Sequence, residues 1–557
     1  MKRILTLILA VVMVVAMFSA CGTPKPTDSE NPSTEPSESA VESNAPADAT
    51  VLLDTRVRQA LSLAIDRDYI NEQVFSGIHT PAYGIVPGGI ADATTGTEFR
   101  TVGGDVLNSD YAAAVEEAKQ LLADAGFPNG EGFPVLEYTY NTNSTHQAIA
   151  EAIQKMWKES LGIEITLSPM EWADFSGFRK TDDCEIARQG WIGDYADPAT
   201  FFDLFTTGAG TNDSKYSNAE YDALVNAARS EQDPAKRMEM YHQAEQILVA
   251  DDAGVIPIVF QSDEALVQTD LTGYGVTPTG NRMFWGASKP EFVVCVGSEP
   301  ETLDPSMNQT VDGFIYATQT YEGIYKLKID GSFELGQAKS CDFDAATNTL
   351  NIVLRDDIKW SDGQPVTAQD FVYAWKRMMD PATASPYSYI YGDFFKNGND
   401  VLAGTVPADE LSVTAVDAKT ITIECGALPG YYKDLLSFPE SMPIRQDIVE
   451  ADPASWATVP VVYNGRFVIS EFAHEDQIIM ERNDQYYDNA TTLVDKITFK
   501  LSDDDASLLA AFKNKELDFL DSVLVDERAS LIGTPEYQLF PSLSLYYIQM
   551  SNSPTVK

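Results

Sequence analysis

The sequence predicts an α/β protein of at least two lobes, and three features of its 557 residues carry that expectation. With 44% hydrophobic and 10% aromatic residues, the roughly 500 residues beyond position 50 exceed what one core organises, since single cores stop growing near 250–300 residues. Between 133 and 205, strand-like and helix-like periodicities alternate, as in a parallel sheet with crossovers. From 290 onward the pattern shifts toward strands separated by Asp, Gly and Asn turns.

In chain order, Lys2 and Arg3 precede an uncharged apolar run over 4–18, followed by Ser19, Ala20 and Cys21. This is the anatomy of a secretory signal over 1–20, and small residues before a cysteine resemble a bacterial lipobox, with Phe18 where that pattern usually carries Leu. The expectation is a lipidated Cys21 holding the protein to the outer side of a membrane; an uncleaved anchor would leave the bulk on the same side. Residues 21–50 are Pro, Ser, Thr, Glu and Ala with little to bury, which reads as a disordered tether.

A helix over 111–125 stops at Gly126. Residues 135–140 alternate as a strand, and 146–160 place Ile149, Ile153, Met156 and Trp157 on one helical face. Gly162 ends that helix, 163–167 form a second strand, 171–179 a short helix, and 185–191 a third strand. Ligands in such sheets sit beyond the carboxyl ends of the strands, which marks the loop 193–198 as a site on topology alone. Helices over 218–229 and 234–249 and a buried strand over 256–261 follow. Later strands are expected at 292–296, 350–354, 420–424, 478–481 and 496–501, with helices at 368–379 and 506–513.

The net charge of −46 disfavours nucleic acid and anionic surfaces as partners through long-range repulsion. Besides Cys21, Cys184, Cys295, Cys341 and Cys425 show no CxxC spacing, and whether they are reduced or paired stays open. The four histidines, at 79, 146, 242 and 474, have no metal-ligand spacing. No GxSxG elbow, P-loop or dinucleotide fingerprint is present. The expectation is a protein that is not an enzyme, with no cofactor and no metal.

Trp360-Ser361-Asp362-Gly363, then Pro365-Val366-Thr367-Ala368 and Asp370-Phe371-Val372-Tyr373, resemble the signature of the family 5 solute-binding proteins, the oligopeptide, dipeptide and nickel binders of ABC importers. Supporting matches are Gly297 to Pro300 with Leu303-Asp304-Pro305, Glu481-Arg482-Asn483 with Tyr486-Tyr487, and Arg56 to Leu61 with Asp66-Arg67. The resemblance implies a two-lobed fold like the type II periplasmic binding proteins, with an extra α/β domain on one lobe. The expected division is a contiguous ligand-binding lobe at 51–262, a second-lobe core at 263–322 and 458–557, and the additional domain at 323–457. It also implies an exchanged order, because the stretch resembling 290–557 comes first in the family. A circular permutation would place Lys557 beside Val51 and leave one covalent crossing between the lobes, near Ser262.

The function implied is capture of oligopeptides by lobe closure for delivery to an ABC permease, by a monomer anchored through Cys21. Peptides share an α-ammonium, a chain of amides and a terminal carboxylate, so a dry cleft needs one fixed carboxylate for the ammonium. By resemblance that residue is Asp194, which the strand topology selects independently; Asp197, before Pro198, reads as structural. Arg188, six residues earlier, and Arg179 are implied near the ligand's far end, where a guanidinium fork matches a carboxylate. Trp172 and Trp191 are implied in side-chain pockets. Tyr387 and the loop Gln309–Val311 are implied contacts from the other lobe. The alternatives are a non-peptide solute (a nickel chelate, haem or an oligosaccharide), or a surface receptor that senses peptides.

Overall fold

The computed structural model describes residues 49–556 except 95, 232, 298, 329–331, 458–461 and 503. The expected signal, Cys21 and the tether, like Lys557, lie outside the described residues.

The three strands read from the alternating region form as Leu136–Asn141, Ile165–Met170 and Ile186–Ile192. They are parallel, with Leu136–Asn141 between the other two. The helix Ser144–Leu161 connects the first pair. It starts where the Asn143 side chain accepts the N–H groups of Thr145 and His146, satisfying donors that the first turn leaves free. It ends at Gly162, at φ 74°; a Cβ there would collide with the Asn129 carbonyl, so glycine is required. Its apolar face, including Ile149, Ile153 and Trp157, is buried, and the Trp157 indole N–H donates to the Leu61 carbonyl at 2.9 Å.

Two long strands join the lobes. Val255–Val267 and Tyr537–Met550 pair antiparallel over most of their length. Val255, Ile258, Leu545 and Ile548 belong to the first core, together with Trp157 and Phe202. Ala265 and Val267 belong to the second, with Phe292, Val294 and Phe499. On the first-lobe side, Ile186–Ile192 continues the sheet from Tyr537–Met550. On the other side it passes through Phe519–Leu520, Glu291–Cys295, Lys496–Lys500 and Gln477–Arg482 to Phe467–Ala473.

Two expectations are corrected here. The chain crosses between the lobes in two strands, not once near Ser262. Residues 543–556, assigned to the second lobe from the sequence, bury Leu543, Leu545, Met550 and Val556 in the first core. The physical reason is a bulge. The register shifts between Phe540 and Ser544, so residues 541–543 face Ser262 alone. Pro541 has no N–H to give a ladder and is tolerated where pairing is interrupted. Ser262 finds its partner elsewhere, its N–H donating to His79 Nδ1 at 3.2 Å. Burial, with Arg528 nearby, pushes the His79 pKa down to about 3, which keeps the ring neutral and able to accept.

Within 323–457, the strands Ala338–Asp344, Thr349–Leu354, Thr420–Glu424 and Val413–Ala415 form a separate antiparallel sheet. The helix Ala368–Met379 buries Phe371, Trp375 and Met378 and opens on a capping box between Thr367 and Asp370. Phe371 and Trp375 share one core with Phe292 and Phe499, so this layer is fused to the second lobe.

Candidate ligand-binding cleft

A cavity of about 720 Å³ lies between the lobes, within the range of sites that enclose small ligands. The eight residues singled out from the sequence, Trp172, Arg179, Arg188, Trp191, Asp194, Gln309, Val311 and Tyr387, all line it.

Asp194 stands just past the strand Ile186–Ile192, and its loop is held by the bulge. The Gly193 N–H donates to the Leu543 carbonyl at 2.8 Å, and the Leu543 N–H to the Pro278 carbonyl at 2.7 Å. A Cβ on Gly193 would meet Thr200, Leu543 and Phe201 at 3.2–3.4 Å, so this approach suits glycine. Thr200 Oγ1 accepts the Asp194 N–H at 3.1 Å and the Trp191 indole N–H at 3.2 Å, and lies 3.5 Å from Asp194 Oδ2. The second lobe reaches across with the Tyr387 hydroxyl, which donates to Asp194 Oδ1 at 3.4 Å.

The Asp194 carboxyl is half-buried, and among the described residues its side-chain partners are two hydroxyls. Burial pushes its pKa up to about 8, against the opposing pull of the Tyr387 and Thr200 hydrogen bonds. Asp197, three residues on, is different. It forms a two-pronged pair with Arg237 at 2.6 and 2.7 Å and accepts the Ala199 N–H. One carboxylate of the loop is compensated internally, and the other lines the cavity with no cation paired to it among the described residues.

Six residues before Asp194, within the strand, the charge is opposite. Arg188 Nε donates to Asn141 Oδ1 at 2.7 Å, and its guanidinium lies 5.7 Å from the Trp172 ring centre and 5.5 Å from that of Phe175. Among the described residues no carboxylate pairs with it, and burial holds its pKa below the usual arginine value. Arg179 also lies against Trp172, at 5.6 Å, but is compensated by Asp213 at 3.4 Å and donates to Gln189 Oε1 at 2.6 Å.

The second lobe supplies an aromatic wall. Tyr387 is buried and packs against Phe314, Phe438 and Trp191 with ring centres 5.7, 5.3 and 6.4 Å apart. Thr318, two helical turns past Val311, also lines the cavity, whereas Gln319 is buried and donates to the Arg282 carbonyl. Sequence reasoning missed Thr200, whose only local signal is its place at the start of the helix Ala199–Phe202. It also missed Asp434, a second cavity-lining carboxyl, carried by the short helix Tyr432–Leu435. Burial, with Asp197 nearby, pushes its pKa up to about 7.

Two segments, 25–213 and 333–556, match the family model described as bacterial extracellular solute-binding proteins, family 5 Middle, together more than half of the chain. The periplasmic oligopeptide-binding protein OppA of Salmonella typhimurium is 31% identical over 294 residues, 52% of this chain and 53% of that protein. The dipeptide-binding protein DppE of Bacillus subtilis is 34% identical over 226 residues, 40% of each chain. A solved structure of the Escherichia coli murein tripeptide binding protein MppA aligns with TM-score 0.43 and 28% identity, over 44% of this chain and 49% of that one. The chain thus spans about half the length of the curated relatives it matches.

Proposed function

Because the chain belongs to the family 5 bacterial extracellular solute-binding proteins, we propose that it captures oligopeptides between its lobes and presents them to an ABC permease. The observation that carries this reading is the pair of ionisable side chains, Arg188 on the strand Ile186–Ile192 and Asp194 just past it, neither with an ion-pair partner among the described residues. Asp194 offers a carboxylate to a ligand cation, and Arg188 offers a guanidinium to a ligand anion. A buried charge without a partner costs several kcal/mol, so a zwitterion bound in an extended form relieves both. Six residues of strand-like backbone reach about 20 Å, and side chains at both ends shorten the gap to suit peptides of about three to five residues.

Tyr387 makes closure part of recognition. Its hydroxyl meets Asp194 only when the lobes are together, so a ligand held at Asp194 favours the closed form by its extra contacts there. A nickel chelate, haem or oligosaccharide has no need of a carboxylate left without a cation, and a receptor that only senses peptides would share the same cleft. Export behind the 1–20 signal and lipidation of Cys21 would hold the cleft outside the cytoplasmic membrane.

The test is calorimetric titration of the chain from residue 22 with a pool of tri- to pentapeptides, repeated with the pool N-acetylated and with Asp194→Ala. Binding lost in both controls supports the reading. Binding indifferent to acetylation turns it toward non-peptide solutes.

The exchanged order of the two halves belongs to the same proposal. A chain with its halves exchanged would match relatives over one half at a time, as the covered lengths do. The two described ends also meet one network. The Leu52 carbonyl accepts from Arg58, Arg58 donates to the Asp252 carbonyl, and the Asp252 carboxylate accepts from Tyr216. Two residues before Tyr216, the Ser214 carbonyl accepts the Asn552 N–H at 2.7 Å. A version joined from 557 to 51 and opened before 290 should fold and bind the same peptides; failure to fold would refute the exchange.

A further inference from the structure

Asp194 and Arg188 find partners in the termini of a bound peptide, whereas Asp434 does not. Asp434 lines the same cavity from the opposite lobe. Tyr431, one turn before it, stacks on Tyr195 with ring centres 4.3 Å apart and planes 4° from parallel. That stack sets the helix Tyr432–Leu435 over the loop that begins with Asp194, so Asp434 stands at the ammonium end of the site. No ion pair to Asp434 occurs among the described residues. Its neighbour Lys433 is turned toward the Tyr325 ring, 5.8 Å from its centre. Arg237, on the helix Pro234–Glu245, is already held by both oxygens of Asp197 on the facing loop.

We propose that Asp434 is a specificity-determining residue that selects peptides carrying a lysine or arginine side chain in one of their first two positions. The inference rests on the peptide reading above. With the α-ammonium on Asp194 and the terminal carboxylate on Arg188, a neutral peptide leaves Asp434 uncompensated near Asp197. A basic side chain near the amino end closes that balance with a charge-assisted hydrogen bond across the lobe interface. The geometry favours the amino end because the Tyr195–Tyr431 stack ties Asp434 to the 194–197 loop, whereas Arg188, Arg179 and Trp172 occupy the other end of the cavity.

The experiment titrates the soluble chain with Lys-Ala-Ala and Ala-Lys-Ala, each against its norleucine counterpart, which keeps the stem and removes the charge. For at least one position the lysine peptide should bind about tenfold or more tightly than its counterpart. Asp434→Asn, nearly the same in shape, should bring the ratio close to one. A ratio near one at both positions in the parent chain overturns the inference while leaving the peptide reading intact. So does a lysine preference that survives in Asp434→Asn. Absence of binding by all four peptides would instead overturn the peptide reading, and this inference with it.

Discussion

Tyr195 and Tyr431 lie face to face across the two lobes, their ring centres 4.3 Å apart and their planes within 4° of parallel. Neither lines the cavity, so the stack stabilises closure without touching the ligand. An aromatic pair contributes about 0.5–1.5 kcal/mol beyond its buried area. Tyr431→Ala should therefore weaken every peptide alike, by about two- to tenfold, and enlarge the ligand-free radius of gyration in small-angle scattering. Selective loss of particular peptides would show that the stack acts on the ligand itself.

Asp194 ties binding to protons. Burial holds its pKa at about 8, far above an unfolded carboxyl near 3.9. Between these values the folded chain keeps a proton that the unfolded chain releases. The contribution of Asp194 to stability is thus fully present below about pH 4 and is lost as pH rises toward 8. Thermal melts of the ligand-free protein should show this as a difference from Asp194→Asn, whose stability should decline less over that window. A peptide ammonium displaces the same proton, so at pH 7 binding should release about one proton, read from calorimetry in buffers of different protonation heat. No release would place the ammonium elsewhere.

Arg188 is the counterpart at the far end. Converting a peptide's terminal carboxylate to the amide should weaken binding by about ten- to a hundredfold. In Arg188→Gln the free acid and the amide should bind nearly alike. If the variant still discriminates strongly, the carboxylate is held by Arg179, despite its pairing with Asp213.

The hinge holds a further test. Arg528, buried in the second lobe, grips Glu264 at 2.6 and 3.0 Å and donates to the Val74 carbonyl of the first lobe at 3.1 Å. Arg528→Ala leaves Glu264 without its cation and should cost about 3–5 kcal/mol of stability, visible in chemical denaturation. A loss below about 1 kcal/mol would mean that water replaces the guanidinium, as at an exposed pair.

Local periodicity made the region 135–192 readable, because side chains repeating every two or 3.6 residues report directly which face is buried. It placed the helices 146–160 and 218–229 within two residues of their observed bounds. It assigned no strand at Tyr537–Met550, where Pro541 interrupts the run. That strand is continuous only because Val255–Val267 pairs with both halves and His79 takes the N–H of Ser262 left over at the bulge.

The same division runs through the cleft. The types and spacing of residues along 172–194 determined which side chains could gather beyond the end of one strand, since neighbours on a strand and its loop share a place whatever the rest of the chain does. Which of them keep an unanswered charge was decided by folding alone. Asp197 is answered by Arg237 and Arg179 by Asp213, residues 40 and 34 positions away along the chain, and Asp434 joins the site from the other lobe. Such pairings leave no mark in local pattern, because they arise from the packing of distant segments against one another and not from the repeat of any one of them.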